Sequence, residues 1–505
     1  MNEFNLVPAP RSCQLRGGYC SLGLDRAVSA PEKWAQESEI LAQWIREGPN
    51  GAPRVRIVCD ESVVGKEAYR LHIAEDEATL VASDGAGVIR GAATLRELVL
   101  SSSSSMPRLA CVDIEDEPRF AWRGFMLDTA RNFFRVEFLE KMIDVAAMHK
   151  LNVFHWHLTD DQAWRLDLNF APEVAAQGGI HRDVRYQEPV YQEDVYTHAD
   201  VARVVEFAAR RHIRVVPEIE MPGHVTALLA SHPEFCCRSG KEPNLHFEPE
   251  YRFGIFEDIL CAGNDAVLEF VDRLVQELCS LFPSPVIHMG GDEAPKTRWL
   301  SCPRCRQRMI TENLMHADGS PNPEKLQAWF MEQVQASLVK HGRRMACWDE
   351  VIDGDMDESV MVFGWRGNNV GKVAAGRGYD VVMCPQTKAC YLDHKQEDLA
   401  EEPGQLGVCT LEDSYAFDPI SPGLSGEDAK HILGGQANLW TELVPFGRQA
   451  EYMLYPRLCA LSEVFWSPKD KRDFQDFLQR MQTHGSRLDT LDIAWRRSDV
   501  QKRRE

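Results

Sequence analysis

The sequence predicts an α/β protein in which a TIM (β/α)8 barrel follows a small α+β domain. Short apolar segments with the length of buried strands recur eight times after Pro118. Most of them precede a segment whose apolar residues have helical spacing. Residues able to do chemistry stand directly after several of these strands, where TIM barrels place their active sites. Alternation of strands and helices at this count is typical of that barrel.

Residues 1–115 are predicted to form the separate α+β domain. Strands are expected at 54–60, 69–73 and 78–83, because these segments alternate apolar and polar residues or are rich in β-branched ones. A turn is predicted at Asp84-Gly85. Apolar residues over 91–100 then have the spacing of a helix.

Residues 116–466 are predicted to form the barrel. Its strands are expected at 124–127, 153–158, 213–219, 286–289, 344–348, 360–365, 380–383 and 433–439. Its helices are expected at 136–149, 199–211, 266–282, 323–341, 370–377 and 449–464. No helical pattern is visible before the eighth strand, where 394–430 resemble a long, polar, irregular loop. The charged segment 467–505 is predicted to be a helical tail packed on the barrel.

Composition bears on partners and on the compartment. The formal net charge is −21, which disfavours nucleic acid and anionic membranes as partners. No segment approaches the roughly 20 apolar residues of a membrane span. The first ten residues lack the basic start and apolar run of a signal peptide. The 15 cysteines are an odd number, so full disulfide pairing would leave one over. We therefore expect a cytoplasmic rather than an exported protein.

Two adjacent carboxylates follow the fourth predicted strand. Asp292 and Glu293 come after Gly290 and Gly291, which allow the backbone to turn tightly. Neighbouring carboxyl groups disfavour simultaneous ionisation, which raises one pKa and allows a general acid at neutral pH. A solvated acidic turn would have the same sequence, but the position after a barrel strand favours catalysis.

The first three strands bring further polar residues to the same rim. Arg131 follows the first strand, Asp160 the second and His224 the third. A chain from His224 to Asp160 to Glu293 would tune proton transfer. His155 and His157 share one face of the second strand, where they are either packed histidines or a pair of metal ligands.

Three tryptophans stand at the ends of later strands: Trp348, Trp365 and Trp440. Indole rings stack on the flat C–H faces of sugars, although core packing is the commoner role of a single tryptophan. Three at one rim favour a sugar pocket.

At these positions the chain resembles glycoside hydrolase family twenty, the β-N-acetylhexosaminidases. The resemblance spans nearly the whole chain. It rests on seven motifs in order: 124–131, 155–162, 217–224, 288–293, Trp348-Asp349-Glu350, Tyr391-Leu392-Asp393 and 436–442. Each motif is weak alone, and their order along the chain carries the identification.

The resemblance implies a retaining exo-glycosidase that needs no cofactor and supplies no nucleophile. The substrate's 2-acetamido oxygen attacks the anomeric carbon and forms an oxazolinium ion. Glu293 would protonate the departing oxygen and then deprotonate water, while Asp292 would orient the acetamido group and stabilise its positive charge. Asp160 and His224 match the residues that tune the acid.

The resemblance also implies the pocket that holds a terminal GlcNAc or GalNAc. Arg131 and Glu442 would bind hydroxyls at the far side of the sugar. Tyr391 would donate a hydrogen bond to the acetamido oxygen, with Asp393 beside it. The pocket walls would be Trp348, Trp365 and Trp440. Relatives in this family often pair, so a monomer and a homodimer are both open.

A Cys-x-x-Cys motif at Cys302 and Cys305 has the spacing of half a zinc site. Cys237 and Cys261 follow the neighbouring strand and would complete a Cys₄ set. Four protein ligands leave no open position, so this zinc would be structural and would join two loops. Free thiols, or disulfides in an exported protein, are the alternatives.

Three other functions remain open from the sequence. A catalytically inactive glycan-binding barrel would share the fold, although Asp292 and Glu293 are both present. A zinc hydrolase could use His155, His157 and His224, which would leave the Asp-Glu pair unexplained. A disaccharide-releasing glycosidase would share the site but have a larger pocket.

Overall fold

The computed structural model describes residues 4–23, 27–102, 107–182, 189–190, 194–240, 242, 244–354, 356–424 and 426–501. These residues form a six-stranded sheet, a closed barrel and a C-terminal helical segment. The predicted fold class is confirmed. The division into 1–115, 116–466 and 467–505 stays a prediction.

The N-terminal part is a mixed sheet covered by helices. Its strands, in spatial order, are Ser12–Ser21, Arg108–Asp116, Tyr69–Ile73, Ala78–Ala82, Val55–Cys59 and Val28–Ser29. Helix Ala35–Ile45 packs on helix Gly85–Leu100. The second helix contacts both the sheet and the first barrel helix, which explains why nearly all of its residues are buried.

This buried helix begins at Gly85 rather than at Gly91, so the turn predicted at Asp84-Gly85 is wrong. The Asp84 carboxylate accepts a hydrogen bond from the backbone N–H of Gly87 at 2.6 Å. An aspartate in this position caps a helix by satisfying one of its free N–H groups. The Asp-Gly pair therefore starts a helix instead of reversing the chain.

Eight parallel strands close into the barrel. In chain order they are Trp122–Asp128, Val153–His157, Arg214–Glu218, Val286–His288, Arg344–Trp348, Met361–Gly364, Asp380–Met383 and Ile432–Leu439. The eighth strand pairs with the first, with Gly434 opposite Trp122 and Leu439 opposite Leu127. All eight predicted strands are therefore present.

Helices cover the barrel, with two departures from the prediction. The regular ones are Val136–Met148, His198–Ala209, Asp265–Leu281, Pro323–Lys340 and Asn368–Gly376. The helix predicted at 449–464 is two helices, Gly447–Leu454 and Arg457–Trp466, because Pro456 has no N–H to donate and its ring blocks the preceding turn. The loop predicted at 394–430 contains helices Leu411–Ala416 and Glu427–Lys430.

The loops contain short helices and two-stranded sheets. The α-helices are Pro172–Gly178, Thr226–Ser231, Thr297–Ser301 and Pro303–Thr311, and the 3-10 helices are Glu32–Trp34, Pro233–Phe235, Asp349–Gly354 and Lys469–Lys471. The two-stranded pairs are Thr159–Asp160 with Ala163–Trp164, His181–Arg182 with Pro189–Val190, and His394–Lys395 with Gln405–Val408.

The C-terminal segment contains helices Phe474–Thr490 and Ser498–Gln501. Arg480 on the first of these forms an ion pair with Glu463 of the barrel at 2.7 Å. Arg487, two turns further on, pairs with Glu97 of the N-terminal part at 2.8 Å. The helix thus ties both parts together. No described helix is long and apolar enough to cross a membrane.

Candidate active site

A cavity of about 200 Å³ opens at the carboxyl ends of the barrel strands. It is small beside the roughly 300–1,000 Å³ of pockets for drug-sized ligands. The predicted residues that line it are Arg131, His224, Asp292, Glu293, Trp348, Trp365, Tyr391, Asp393, Trp440 and Glu442. Asp160 does not line the cavity but contacts two residues that do, Arg131 at 2.8 Å and His224 at 3.2 Å.

Asp292 and Glu293 stand where the fourth strand turns into the pocket. Gly290 and Gly291 have φ values of 63° and 105°, which glycine adopts without strain. A Cβ on Gly290 would lie 1.9 Å from a carboxylate oxygen of Glu220, so a larger residue would displace that buried side chain. Glu293 also has positive φ, 45°, a strained conformation that clusters at functional sites.

The two carboxyl groups have different surroundings. Asp292 is buried, and its Oδ1 atom has no hydrogen-bond partner among the described residues. The Glu293 side chain is 34% exposed towards the pocket. Burial raises the pKa of Asp292 to about 7, although the His224 cation opposes the rise and Glu293 adds to it. The raised pKa predicted for one member of the pair therefore falls on Asp292.

His224 lies between the carboxylates, not at the end of the predicted chain. Its Nδ1 atom is 3.2 Å from Asp160 Oδ1 and 3.1 Å from Asp161 Oδ2. Its Nε2 atom is 3.5 Å from both Asp292 Oδ2 and Glu293 Oε2. Burial opposes its protonation, yet Asp160 and Asp292 raise the pKa of His224 well above its ordinary value. The histidine is therefore a buried cation facing the acidic pair.

Three carboxyl groups near the pair were not singled out from the sequence: the buried Asp161 and Glu220 and the half-buried Glu350. Asp161 contacts His224 and also accepts hydrogen bonds from the backbone N–H and hydroxyl of Thr226, at 3.0 and 2.6 Å. Burial and the nearby Asp292 raise the pKa of Glu220 well above its ordinary value and that of Glu350 to about 8. All three lie inside the motifs at the strand ends, and this position could have indicated them as site residues.

Arg131 is held rigidly at the pocket floor. Its Nη2 atom pairs with Asp160 at 2.8 Å, and its Nε atom donates to Gln162 at 2.8 Å. Nη1 is 3.3 Å from Asp128 and 4.0 Å from Glu442. Burial opposes its charge, but the surrounding carboxylates raise the pKa of Arg131 well above its ordinary value. It is thus a fixed cation.

Glu442 and Asp393 present acceptors beside Arg131. One oxygen of each, Oε2 of Glu442 and Oδ1 of Asp393, is buried without a hydrogen-bond partner in the described part of the chain. Burial raises the pKa of both carboxyl groups, and Glu442 adds to the rise at Asp393. A buried acceptor without a donor lowers the stability of the folded protein. These two atoms can therefore accept a hydrogen bond from a bound hydroxyl or amide group.

Aromatic side chains form the walls. Trp348 is buried at the base, with its ring centroid 5.9 Å from that of Trp440. Trp365 is half-buried and lies nearly parallel to Tyr391, at 6.2 Å and 14°. The Trp365 Nε1 atom donates to both oxygens of Glu350, at 3.2 and 3.0 Å, which fixes the orientation of the indole.

His155 and His157, two of the three histidines of the zinc-hydrolase alternative, each contact buried carboxyl groups in the barrel interior. His155 Nε2 is 3.0 Å from Glu218, and His157 Nε2 is 3.4 Å from both Asp160 and Glu220. Glu218 also contacts His288 at 2.8 Å. These contacts place the two histidines against buried carboxyl groups beneath the pocket.

The pocket rim contains residues that the sequence did not indicate: Gln386, His394, Gln405 and Leu406. They lie on the long segment between the seventh and eighth strands, whose sequence has no helical or strand pattern from which to predict structure. Leu406 is 89% exposed.

The four predicted zinc ligands come together outside the pocket: Cys237, Cys261, Cys302 and Cys305. All fifteen cysteines lie in the described part of the chain, and none of them forms a disulfide.

Comparison with known proteins identifies the family. Residues 120–469 match the family model for the catalytic domain of glycosyl hydrolase family 20, and residues 3–117 match its domain 2. A β-hexosaminidase of Porphyromonas gingivalis is 37% identical over 85% of this chain, which spans 54% of that relative's length. A β-hexosaminidase of Akkermansia muciniphila is 32% identical, with 86% of each chain covered.

Solved structures agree. The exo-β-N-acetylglucosaminidase of Vibrio harveyi, in complex with N-acetylglucosamine, has a TM-score of 0.87 at 27% identity, covering 97% of this chain and 78% of that one. A mutant β-hexosaminidase of Streptomyces plicatus with its product GlcNAc has a TM-score of 0.84 at 28% identity, covering 98% and 97%. The chain belongs to glycosyl hydrolase family 20, the glycoside hydrolase family of these β-N-acetylhexosaminidases.

Proposed function

We propose that the protein is a retaining exo-β-N-acetylhexosaminidase that removes terminal, non-reducing β-linked GlcNAc or GalNAc from glycans. Family membership and the complexes of two relatives with GlcNAc support this class of substrate. The reaction proceeds through an oxazolinium ion formed by the substrate itself and needs no cofactor.

Cavity size supports the release of one terminal sugar. A volume of about 200 Å³ leaves little room beyond a monosaccharide in comparison with ordinary ligand pockets. Arg131 and Glu442 form a charged floor for hydroxyl groups. A chain that continued past the terminal sugar would meet this floor, which argues against release of a disaccharide.

The observation that carries the proposal is the environment of Asp292. A buried carboxyl with one unpartnered oxygen lines the pocket beside the partly exposed Glu293. This arrangement suits the acetamido group, whose N–H can donate to Asp292 Oδ1. As the carbonyl oxygen attacks the anomeric carbon, positive charge develops on that nitrogen. A fixed carboxylate in a dry pocket stabilises such charge more than it stabilises the neutral amide.

Glu293 then acts on the glycosidic oxygen. Its exposed side chain protonates the leaving group as the anomeric C–O bond breaks and the oxazolinium ring closes. The resulting carboxylate takes a proton from water, which attacks the same anomeric carbon and reopens the ring. Two inversions give net retention. The His224 cation, 3.5 Å from Glu293 Oε2, stabilises the carboxylate that exists between the two proton transfers.

The remaining pocket residues position the sugar. Tyr391 donates a hydrogen bond to the acetamido oxygen and so aligns the nucleophile. The indole rings stack on the C–H faces of the ring and its acetamido methyl group. Asp393 and Glu442 accept from hydroxyls through the oxygens that lack a partner among the described residues. Alignment of this kind accounts for a large part of an intramolecular rate enhancement.

Hydrolysis of para-nitrophenyl glycosides tests the proposal. Wild type should release para-nitrophenol from the β-N-acetylglucosaminide but not from the β-glucoside, which has no acetamido group. Glu293→Gln should lose about two to four powers of ten in kcat, as expected for removal of a positioned acid. Glu312→Gln, at an exposed position after helix Pro303–Thr311, is the matched control.

Equal activity on both glycosides would refute the substrate-assisted mechanism. Absence of activity on every N-acetylhexosaminide would favour the inactive glycan-binding barrel. The cytoplasmic location, the choice between GlcNAc and GalNAc, and the choice between a monomer and a homodimer stay predictions.

A further inference from the structure

A cluster of four buried cysteines lies between the loops that follow the third and fourth strands. The Sγ atoms of Cys237, Cys261, Cys302 and Cys305 all lie within 4.8 Å of one another. Three of the pairs are at 3.5, 3.7 and 3.8 Å. These distances far exceed the roughly 2.05 Å of a disulfide. All four residues are 7% exposed or less.

The spacing of the sulfur atoms matches a tetrahedral metal site. Zinc binds thiolate sulfur at about 2.3 Å, so two sulfurs at corners of a tetrahedron are about 3.8 Å apart. Four uncharged thiols gain little from meeting in one place, because S–H groups are weak donors and weak acceptors. We propose that Cys237, Cys261, Cys302 and Cys305 bind one structural zinc ion.

The local backbone is built for close approach at this point. A Cβ on Gly263 would lie 2.3 Å from the carbonyl carbon of Arg304 and 2.5 Å from the amide nitrogen of Cys305. Only glycine therefore lets the loop with Cys261 reach the helix that contains Cys305. Cys302 precedes helix Pro303–Thr311 as its N-cap residue. Both cysteines of the motif thus lie at a helix N-terminus, whose dipole favours thiolates.

The cluster connects to the active site through Leu260, the neighbour of Cys261. The Leu260 N–H donates to the carbonyl of Pro222 at 2.9 Å, two residues before His224. The Leu260 carbonyl accepts from Trp299 Nε1 at 2.8 Å, on the loop that carries Glu293. The zinc therefore fixes the two loops that present the histidine and the acid. With four thiolate ligands it has no open position for substrate, so its role is structural whatever the sugar is.

Adjacent cysteines provide a matched pair of variants. Cys236 is as buried as Cys237 but lies outside the cluster. Wild type, Cys236→Ala and Cys237→Ala are each incubated with zinc sulfate and passed through gel filtration, and metal is measured by elemental analysis. Wild type and Cys236→Ala should retain about one zinc per chain. Cys237→Ala should lose it.

A second measurement on wild type covers the case in which Cys237→Ala does not fold. Titration of the holoprotein with an organomercurial should release the zinc to a coloured chelator as the thiolates react. Cobalt(II) exchanged into the site should show the visible absorption of a tetrahedral thiolate complex. A wild type that retains no zinc, zinc retained by a folded Cys237→Ala, or a non-reduced mass with disulfides among these four residues would overturn the proposal.

Discussion

His224 Nε2 lies 3.5 Å from Glu293 Oε2, while Nδ1 of the same ring lies 3.2 Å from Asp160 Oδ1. The imidazole therefore connects a buried carboxylate to the proposed acid. Because Asp160 also pairs with Arg131 at 2.8 Å, the proton-tuning residues and the sugar-binding cation share one carboxylate. A substitution of His224, Asp160 or Arg131 should therefore alter the positions or charges of the other two side chains.

Replacement of His224 by glutamine should lower kcat about 10- to 100-fold with a smaller effect on KM. Glutamine can donate a hydrogen bond to a carboxylate but cannot supply the positive charge that faces Glu293. Loss of that charge weakens a proton transfer worth about two to four powers of ten. Steady-state hydrolysis of the para-nitrophenyl β-N-acetylglucosaminide measures the effect.

The half-buried His232, which contacts Glu173 and Glu234 away from the pocket, provides the control His232→Gln. If His224→Gln and the control both keep the wild-type kcat, the positive charge of His224 does not assist proton transfer by Glu293.

Asp292→Asn should stabilise the protein at neutral pH while it abolishes activity. The pKa of Asp292 is raised to about 7 in the folded protein, against about 3.9 in the unfolded chain. Between these values the folded state binds more protons, so this group makes stability fall as pH rises through the window. Asparagine has no such cost. The melting temperature of the variant should exceed that of wild type at about pH 8, and the difference should vanish near about pH 4.

Thermal unfolding followed by circular dichroism across this pH range checks the sign. Asp398→Asn, at an exposed loop position, should show no pH-dependent difference. A variant that is less stable than wild type at about pH 8 would mean that the ionised Asp292 is satisfied in the folded protein.

Glu442→Gln should lower kcat/KM about 10- to 100-fold. The Oε2 atom of Glu442 is buried without a partner among the described residues, and hydrogen bonds to charged groups contribute about 1.5–3 kcal/mol. Glutamine keeps the shape but loses the charge. The exposed Glu427→Gln is the control. If kcat/KM of Glu442→Gln stays within about twofold of wild type, this oxygen does not bind the substrate.

Asp116→Asn should destabilise the joint between the N-terminal sheet and the barrel by about 3 kcal/mol. Asp116 Oδ2 accepts from Lys150 Nζ at 2.8 Å, from Trp466 Nε1 at 2.9 Å and from the Tyr69 hydroxyl at 2.9 Å. Breaking a buried pair leaves the Lys150 cation without a counter-charge, which costs about 3–5 kcal/mol.

Denaturation of the double variant Asp116→Asn/Lys150→Met distinguishes this cause from lost packing. Removal of both charges should restore part of the stability. If the double variant is as unstable as the sum of the two single variants, the ion pair is not the source of the effect.

The strands and the catalytic motifs were predictable because their signals are local. The run 286–289 has the length of a strand and is apolar except for His288, and the barrel's topology then places Asp292 at the rim. The helix boundaries were less accurate. Asp84 looks like a turn residue until its hydrogen bond to Gly87 is known. Pro456 was a visible break within the predicted 449–464 helix, and the structure places two helices there.

The parts of the site that sequence did not indicate depend on tertiary contacts. Asp161 and Glu350 differ from other acidic residues only by what they touch, namely His224 and the Trp365 indole. Leu406 reaches the pocket rim on a segment with no periodic pattern. Conversely, the spacing of Cys302 and Cys305 is a short, local motif, and the structure brings these two residues together with Cys237 and Cys261.

The most direct test of the central claim changes the nucleophile itself. Para-nitrophenyl β-glycosides of glucosamine with acetyl, fluoroacetyl, difluoroacetyl and trifluoroacetyl groups present an amide oxygen of falling basicity. If that oxygen attacks the anomeric carbon, kcat/KM of wild type should fall steeply with each added fluorine. A rate independent of fluorine content would contradict the account, because it would mean that an enzyme group or water, rather than the acetamido oxygen, attacks the sugar.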